Sequence, residues 1–362
     1  MGSTNSGLGS EWRELKSVLA IRLDNIGDVV LLEPALKTIR QNLKDAFLTL
    51  LASPAGAQAA VLLPEIDHVI PRKVVWQDIG GTIPRDIGRE YCLIEEIRQH
   101  NFDAAVIFTS FAQSPYPPAY VCYLAGIPLR VGMSKEFGGG LLTTWVRSPS
   151  DSLHHVDRNL YLLEELGFQV SGRDLSIRIP PEARCSVDEK LANAGLGRNE
   201  NYVLIHPYAS CQARTYPVEN MAAVARGIMA YLRLPTVVAG NERDRVRLTE
   251  SGLDVWGDAI VLAGKTTLAE FAALIERAAL VVGNNTSSVH LADALRTPCL
   301  AMASGTDPES QWRPRRTLSV LLRKPTDCSP CYYFQCPFQR ECMDFQPDEI
   351  VAVAERLLAG GQ

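Results

Sequence analysis

The chain has no apolar stretch near the roughly 20 residues that span a bilayer, and it has no long basic run. The first absence argues against an embedded membrane protein. The second, with a net charge of -5, removes the electrostatic reason to expect nucleic acid. The opening MGSTNSGLGSEW lacks a basic region leading into an apolar core, so it does not read as a secretory signal. A disordered leader is expected over residues 1–14, and the formal match of Gly2 and Ser6 to a myristoylation pattern is discounted. Short internal repeats are missing as well. What is there is an ordinary globular balance, 46% hydrophobic and 21% charged, over 362 residues, a length that favours two domains. Nine cysteines without a signal point to reduced thiols or a metal site rather than a disulfide scaffold. A cytoplasmic location is expected, with at most peripheral contact at the inner face of the membrane.

Strand-like runs alternate with helical spacing through both halves. In the first half Val18 to Leu23, Phe47 to Ala52, Val69-Ile70 and Ala104 to Phe108 read as strands. Leu32, Ala35, Leu36, Ile39 and Leu43 fall at helical spacing, with Pro34 tolerated in the first turn. In the second half the strands are Val203 to His206, Thr236 to Ala239, Ala259 to Leu262, Leu280 to Val282 and Cys299 to Met302. Helical segments such as Met221 to Leu232 and Leu268 to Ala278 lie between them, and Asp348 to Leu358 is a final amphipathic helix. The alternation predicts an α/β protein of two Rossmann-like domains, each a parallel sheet wound on both faces. The Pro pair in Ile177-Arg178-Ile179-Pro180-Pro181-Glu182 marks the boundary. The expected division is therefore 15–178, 179–345 and a terminal helix over 346–362. Two such domains facing a cleft would place ligands between the carboxyl ends of their strands.

Four turns and one cluster carry chemistry. Leu280-Val281-Val282 runs into Gly283-Asn284-Asn285-Thr286-Ser287-Ser288-Val289-His290-Leu291-Ala292, a strand, a tight turn and a helix start. Free N–H groups and the helix dipole at such a start favour phosphate, and His290 falls about one turn in. Asp24-Asn25-Ile26-Gly27-Asp28 is the turn after the first strand. Asp28 there is either a general base toward an acceptor hydroxyl or a helix cap, and Asp24 offers a second carboxylate on the same loop, a cap or a turn residue. In His206 to Pro217, Arg214 is placed either to pair with phosphate oxygens or simply on the surface. The acids of Gly240-Asn241-Glu242-Arg243-Asp244 accept ribose hydroxyls or charge a helix start. Cys328, Cys331, Cys336 and Cys342 form a C-x2-C-x4-C-x5-C array. It reads as a structural zinc or iron site, as disulfides, or as buried thiols.

In this order the pieces resemble glycosyltransferase family 9, the ADP-heptose heptosyltransferases of lipopolysaccharide core assembly, from about Val18 to Leu358. IRLDNIGDVVLLEPALKTIR is similar to the family's opening loop, and the resemblance gives Asp28 the role of base, with Asp24, Asn25 and Gly27 on the acceptor loop. HPYASCQARTYPVENMA resembles the donor-diphosphate loop, which assigns Ser210 and Arg214. VVAGNERDR assigns a nucleoside contact to Asp244. VVGNNTSSVHLADAL resembles the family's Asp-Thr-Gly-x-x-His-Leu-Ala motif, giving Asn285, Thr286, Ser287 and His290 as donor contacts. GIPLRVGM and HHVDRNLYLLEELG resemble its inter-domain region, and SGTDPESQWRP fits downstream.

The resemblance implies the GT-B architecture, with the last helix crossing back to the N-terminal domain. It also implies inverting, metal-independent transfer of a heptose from ADP-heptose to a glycolipid, a protein or a small glycoside. Related cysteine-rich segments in part of the family carry a structural iron. Two departures matter: Asn285 stands where the family has Asp, and Ser287 where it has Gly. They leave open another nucleotide hexose as donor, or a nucleotide-sugar-binding scaffold without turnover.

Overall fold

A computed structural model describes residues 8–78 and 80–360. The chain divides into two compact units, 1–175 and 176–362. The first is built on six parallel strands: β1 (Ser17–Arg22), β2 (Phe47–Ala52), β3 (His68–Pro71), β4 (Ala104–Ile107), β5 (Leu129–Ser134) and β6 (Thr144–Arg147). Their order across the sheet is β3-β2-β1-β4-β5-β6. The apolar run of β1 is central, with Ile21 level with Leu51 on one side and Ile107 on the other. A strand covered on both faces has to be apolar on both, and residues 18–22 are all buried.

The second unit repeats the plan with β7 (Val203–His206), β8 (Thr236–Val238), β9 (Ile260–Val261), β10 (Leu280–Asn284), β11 (Cys299–Met302) and β12 (Ser319–Leu322). The order is β12-β11-β10-β7-β8-β9, the same winding read from the other edge. In each unit the order reverses between the first and fourth strands, and crevices at the carboxyl ends of such strands are where open α/β sheets take ligands. The two Rossmann-like units expected from the alternation are both there.

Several local expectations are corrected. GIPLRVGM and HHVDRNLYLLEELG, which resemble the family's inter-domain region, belong to the first unit: Leu129–Ser134 is β5 of its sheet and His155–Glu165 one of its helices. Strands β6 and β12 lie at sheet edges and are only partly buried, so their apolar pattern is weak. Part of the expected leader, residues 1–7, lies outside the described residues, but Ser10–Arg13 form a turn of helix. Trp12 there is buried edge-on against Phe168, with ring centroids 5.0 Å apart. The final helix is Pro347–Gly360. Its apolar face (Ile350, Val351, Val353, Ala354 and Leu357) is part of the second unit's core with Met221, Ile228 and Trp256. Among the described residues no helix is long and apolar enough to cross a membrane.

Candidate active site

In the first unit the site is assembled around a charge buried in a strand. Arg22, the last residue of β1, is fully buried. Its Nη2 donates to Asp28 Oδ1 at 2.9 Å and to Ser110 Oγ at 2.9 Å, and lies 3.2 Å from His155 Nε2. Its Nε pairs with Asp24 Oδ2 at 2.8 Å. The helix Ile26–Val30 starts directly after the turn, with Asn25 as its N-cap. Asp28 sits at the third helical position and accepts the Asn25 N–H through Oδ2 at 3.0 Å. It is therefore a cap and, at once, one of two carboxylates on a buried guanidinium. Burial pushes the Asp24 carboxyl up from its usual range; Arg22 opposes this, Asp28 adds to it, and the Gln113 amide opposes it. The bound guanidinium is what makes two carboxylates tolerable here.

In the second unit the corresponding strand ends are those of β7 and β10. Gly283 is required where it stands, because a β-carbon would come within 2.7 Å of the His206 carbonyl oxygen. Asn284 is fully buried and staples the neighbouring loop: its Oδ1 accepts the Tyr216 N–H at 2.7 Å and its Nδ2 donates to the Pro207 carbonyl at 2.8 Å. Thr286 is the N-cap of the nine-residue helix Ser287–Leu295. The first N–H groups of any helix have no intrahelical acceptor, so this start presents donors at the end of β10. Behind it His206 Nδ1 lies 3.1 Å from Ser288 Oγ and 3.2 Å from Thr286 Oγ1. Burial lowers the His206 pKa, with Asp244 opposing it. His290 is buried beside Trp312, and desolvation pushes it down to about 4, with Asp293 opposing, so it is neutral near pH 7. A neutral imidazole at this place can offer one donor or one acceptor, but no charge.

The other predicted donor residues divide. Arg214 does not stand free: its Nη2 pairs with Asp307 Oδ2 at 2.7 Å and its Nε donates to Thr306 Oγ1 at 3.0 Å. Asp244 is buried and accepts the Asn241 N–H at 2.9 Å, so its observed role is the helix cap over Glu242–Glu250. Ser210 is exposed on the loop after β7, and Ser287 opens its helix half-exposed. Asn285 keeps a buried Oδ1 with no hydrogen-bond partner among the described residues.

The four clustered cysteines do meet. Cys328, Cys331, Cys336 and Cys342 line one cavity with Gly305 and Thr306. All are free thiols, so the disulfide reading does not hold. Burial pushes the Cys342 thiol up; the Gly305 N–H opposes this, while the three neighbouring thiols add to it. Among the described residues no group of three or more His, Cys, Asp or Glu side chains is placed to hold a metal ion. The segment has another structural function. Gln212 Oε1 accepts the Cys336 N–H at 2.9 Å, Arg340 Nη1 donates to the Thr215 carbonyl at 2.7 Å, and the Phe334 carbonyl accepts the Ala213 N–H at 3.1 Å. It thus braces the turn that carries Arg214.

Sequence reasoning missed Arg22, Ser110, His155, Asn284, Ser288 and Asp307 as members of these networks. A signal existed for Arg22, a full charge inside an otherwise apolar strand. Asn284, Ser288, His155 and Asp307 lie inside motifs already quoted for the family resemblance, whereas Ser110 left no signal.

Comparison with known proteins gives a consistent picture. The model of glycosyltransferase family 9 (heptosyltransferase) matches residues 91–341. Lipopolysaccharide heptosyltransferase 3 of Escherichia coli K12 is 25% identical over 296 residues, covering 80% of this chain and 82% of that protein. The crystal structure of a family 9 glycosyl transferase from Veillonella parvula superposes with a TM-score of 0.76 at 21% identity, covering 99% of this chain and 100% of the other. The iron-containing dodecameric heptosyltransferase TibC of enterotoxigenic E. coli, in complex with ADP-D-β-D-heptose, gives a TM-score of 0.57 at 14% identity, over 97% of this chain and 78% of that one. These likenesses place the paired Rossmann-like units in the GT-B class.

Proposed function

From glycosyltransferase family 9, to which this chain belongs, we propose the finer reading that the protein moves a heptose from ADP-heptose to a hydroxyl of a lipopolysaccharide-type acceptor, with inversion and without a catalytic metal. At the coarser level it is a glycosyltransferase of the heptosyltransferase kind. The observation that carries the proposal is the Asp28 carboxylate, held between Arg22 and the Asn25 N–H at the end of β1. Further support comes from relatives named for lipopolysaccharide heptosyl transfer and from a structural neighbour solved with ADP-D-β-D-heptose.

In the proposed step Asp28 takes the proton of the acceptor hydroxyl as its oxygen bonds to the anomeric carbon of the donor. The bond from that carbon to the diphosphate oxygen breaks, and the electron pair leaves with the diphosphate. Arg214 and the amides at the start of Ser287–Leu295 are the groups suited to receive that charge. Asp24 holds Arg22 in place, and the cysteine-lined cavity takes no part in transfer. A different nucleotide hexose is the second reading, and the observation favouring it is Asn285, neutral and with an unpartnered Oδ1. Calorimetry with ADP-heptose and with ADP-, GDP-, UDP- and dTDP-hexoses separates the two. ADP-heptose should bind most tightly; a hexose nucleotide binding more tightly would overturn the heptose assignment.

Arg214 supplies a sharper test of the donor side. Because it is already paired with Asp307, a diphosphate must displace or share that carboxylate. Arg214→Ala should still weaken nucleoside-diphosphate binding by about 1.5–3 kcal/mol, the scale of a charge-assisted hydrogen bond. Binding of the bare nucleoside should barely change. Equal losses for both ligands would mean that Arg214 supports the loop through Thr306 and Asp307 and does not meet phosphate.

A further inference from the structure

The carboxyl ends of β1 and β4 hold more unmet donor capacity than a base at Asp28 requires. Arg158, on the helix His155–Glu165, is only 1% exposed. Its guanidinium carbon lies 4.8 Å from the centre of the Phe111 ring, and its Nε reaches the Thr109 carbonyl at 3.4 Å. Among the described residues no carboxylate lies within ion-pairing distance of it, and its Nη1 is buried without a hydrogen-bond partner. The Nη1 of Arg22 and the Oγ1 of Thr109 are buried and unpartnered in the same way. Burial and then the charge of Arg22 push Arg158 down to about 10, with Asp151 opposing, which leaves it cationic at neutral pH.

Buried donors are ordinarily satisfied, and a buried cation is ordinarily paired. Here the Nη1 of Arg158, the Nη1 of Arg22 and the Thr109 hydroxyl remain unsatisfied beside the point where the strand order reverses, and of the two guanidiniums only that of Arg22 has carboxylate partners. Phe111 backs one guanidinium plane and leaves its edge for a ligand. A planar fork with a neighbouring hydroxyl suits the oxygens of a phosphate or carboxylate. We propose that Arg158, Thr109 and the free edge of Arg22 form a subsite for an anionic group, a phosphate or carboxylate, carried on the acceptor beside the hydroxyl that Asp28 would deprotonate. The proposal rests on the acceptor-side reading of Asp28.

The test is calorimetry on the full chain with three probes: inorganic phosphate, a hexose phosphate and the matching unphosphorylated hexose. The native chain should bind the hexose phosphate at least 10-fold more tightly than the hexose, and more tightly than inorganic phosphate. Arg158→Gln should erase the preference, Arg158→Lys should keep part of it, and Thr109→Val should reduce it several-fold. Arg214→Ala should leave it intact, which separates this subsite from the donor diphosphate site. Should Arg158→Gln not fold, the Lys and Val variants still decide the matter. An unchanged preference in the Gln variant, or in both the Lys and Val variants, would overturn the subsite. Equal binding of inorganic phosphate and hexose phosphate would overturn its assignment to the acceptor and mark a free-phosphate site. Because the readout is anion binding alone, the two failures are distinguishable: an Asp28→Asn variant that keeps transferring sugar would overturn the base and with it the placement beside the reacting hydroxyl, whereas an unchanged preference in Arg158→Gln would overturn the anion subsite itself.

Discussion

Asp28→Asn should lower sugar transfer by about 10²–10⁴-fold, the usual worth of a general base. The amide has nearly the same shape and can still accept one hydrogen bond, but it cannot take the acceptor proton. Donor affinity should stay within a few-fold, since the groups proposed to hold the donor lie in the second unit. The stability cost should be modest, about 1–2 kcal/mol, because the substitution weakens a helix cap and one of two ion pairs on Arg22 while Asp24 keeps the other. Initial rates, donor calorimetry and thermal unfolding on the same preparation separate the two roles of this side chain. A capping role alone predicts that small stability loss with turnover largely intact. In that outcome the mechanism is wrong as written, and Asp24, on the same guanidinium, is the next base to test.

Arg22→Met should be the more damaging change to the fold, at about 3–5 kcal/mol at neutral pH, the scale of breaking a buried ion pair by removing one partner. Methionine fills much of the volume, so the loss is electrostatic. It strands Asp24 and Asp28 beside each other with side chains only 10% and 13% exposed. The pH dependence should identify the cause. Burial already raises the Asp24 carboxyl above its usual value of 3.8, and the larger of the two opposing influences in the native chain is Arg22, ahead of the Gln113 amide. Without the guanidinium the folded-state pKa rises further above the unfolded one. The folded variant then binds more protons than the unfolded chain as pH falls, so its deficit relative to the native protein should shrink from pH 8 toward pH 5. Urea denaturation across that range measures it. A deficit independent of pH would assign the damage to packing and not to the stranded carboxylates.

What could be read from the sequence alone was local. Apolar runs bounded by turns identified most strands of both sheets, and Asp28 and the acids of Gly240 to Asp244 marked helix starts, since a cap acts on residues next to it in sequence. In both, the third-position aspartate caps through the N-cap residue's N–H. The strand, turn and helix around Gly283 to Ala292 were legible for the same reason. Strands β5, β6 and β12 are not legible: β6 and β12 are edge strands with weak apolar patterns, and β5 lies in the segment that resembles the family's inter-domain region.

The charge network was a matter of tertiary structure. Arg22 meets Ser110 and His155 across 88 and 133 residues, and His206 meets Ser288 across 82. Such partners leave no periodicity, because they become neighbours only when β1 lies beside β4 and β7 beside β10. Arg158 shows the same limit. Its spacing puts it on the buried face of its helix, but that a guanidinium there lacks a carboxylate is a property of everything packed around it. Sequence by itself determined the two-fold α/β plan and the turns where ligands can meet it, because hydrophobic period and capping act over a few residues. Which charges share those turns, and which donors remain unsatisfied, was decided by sheet order, because Coulomb and hydrogen-bond energies depend on distance in space.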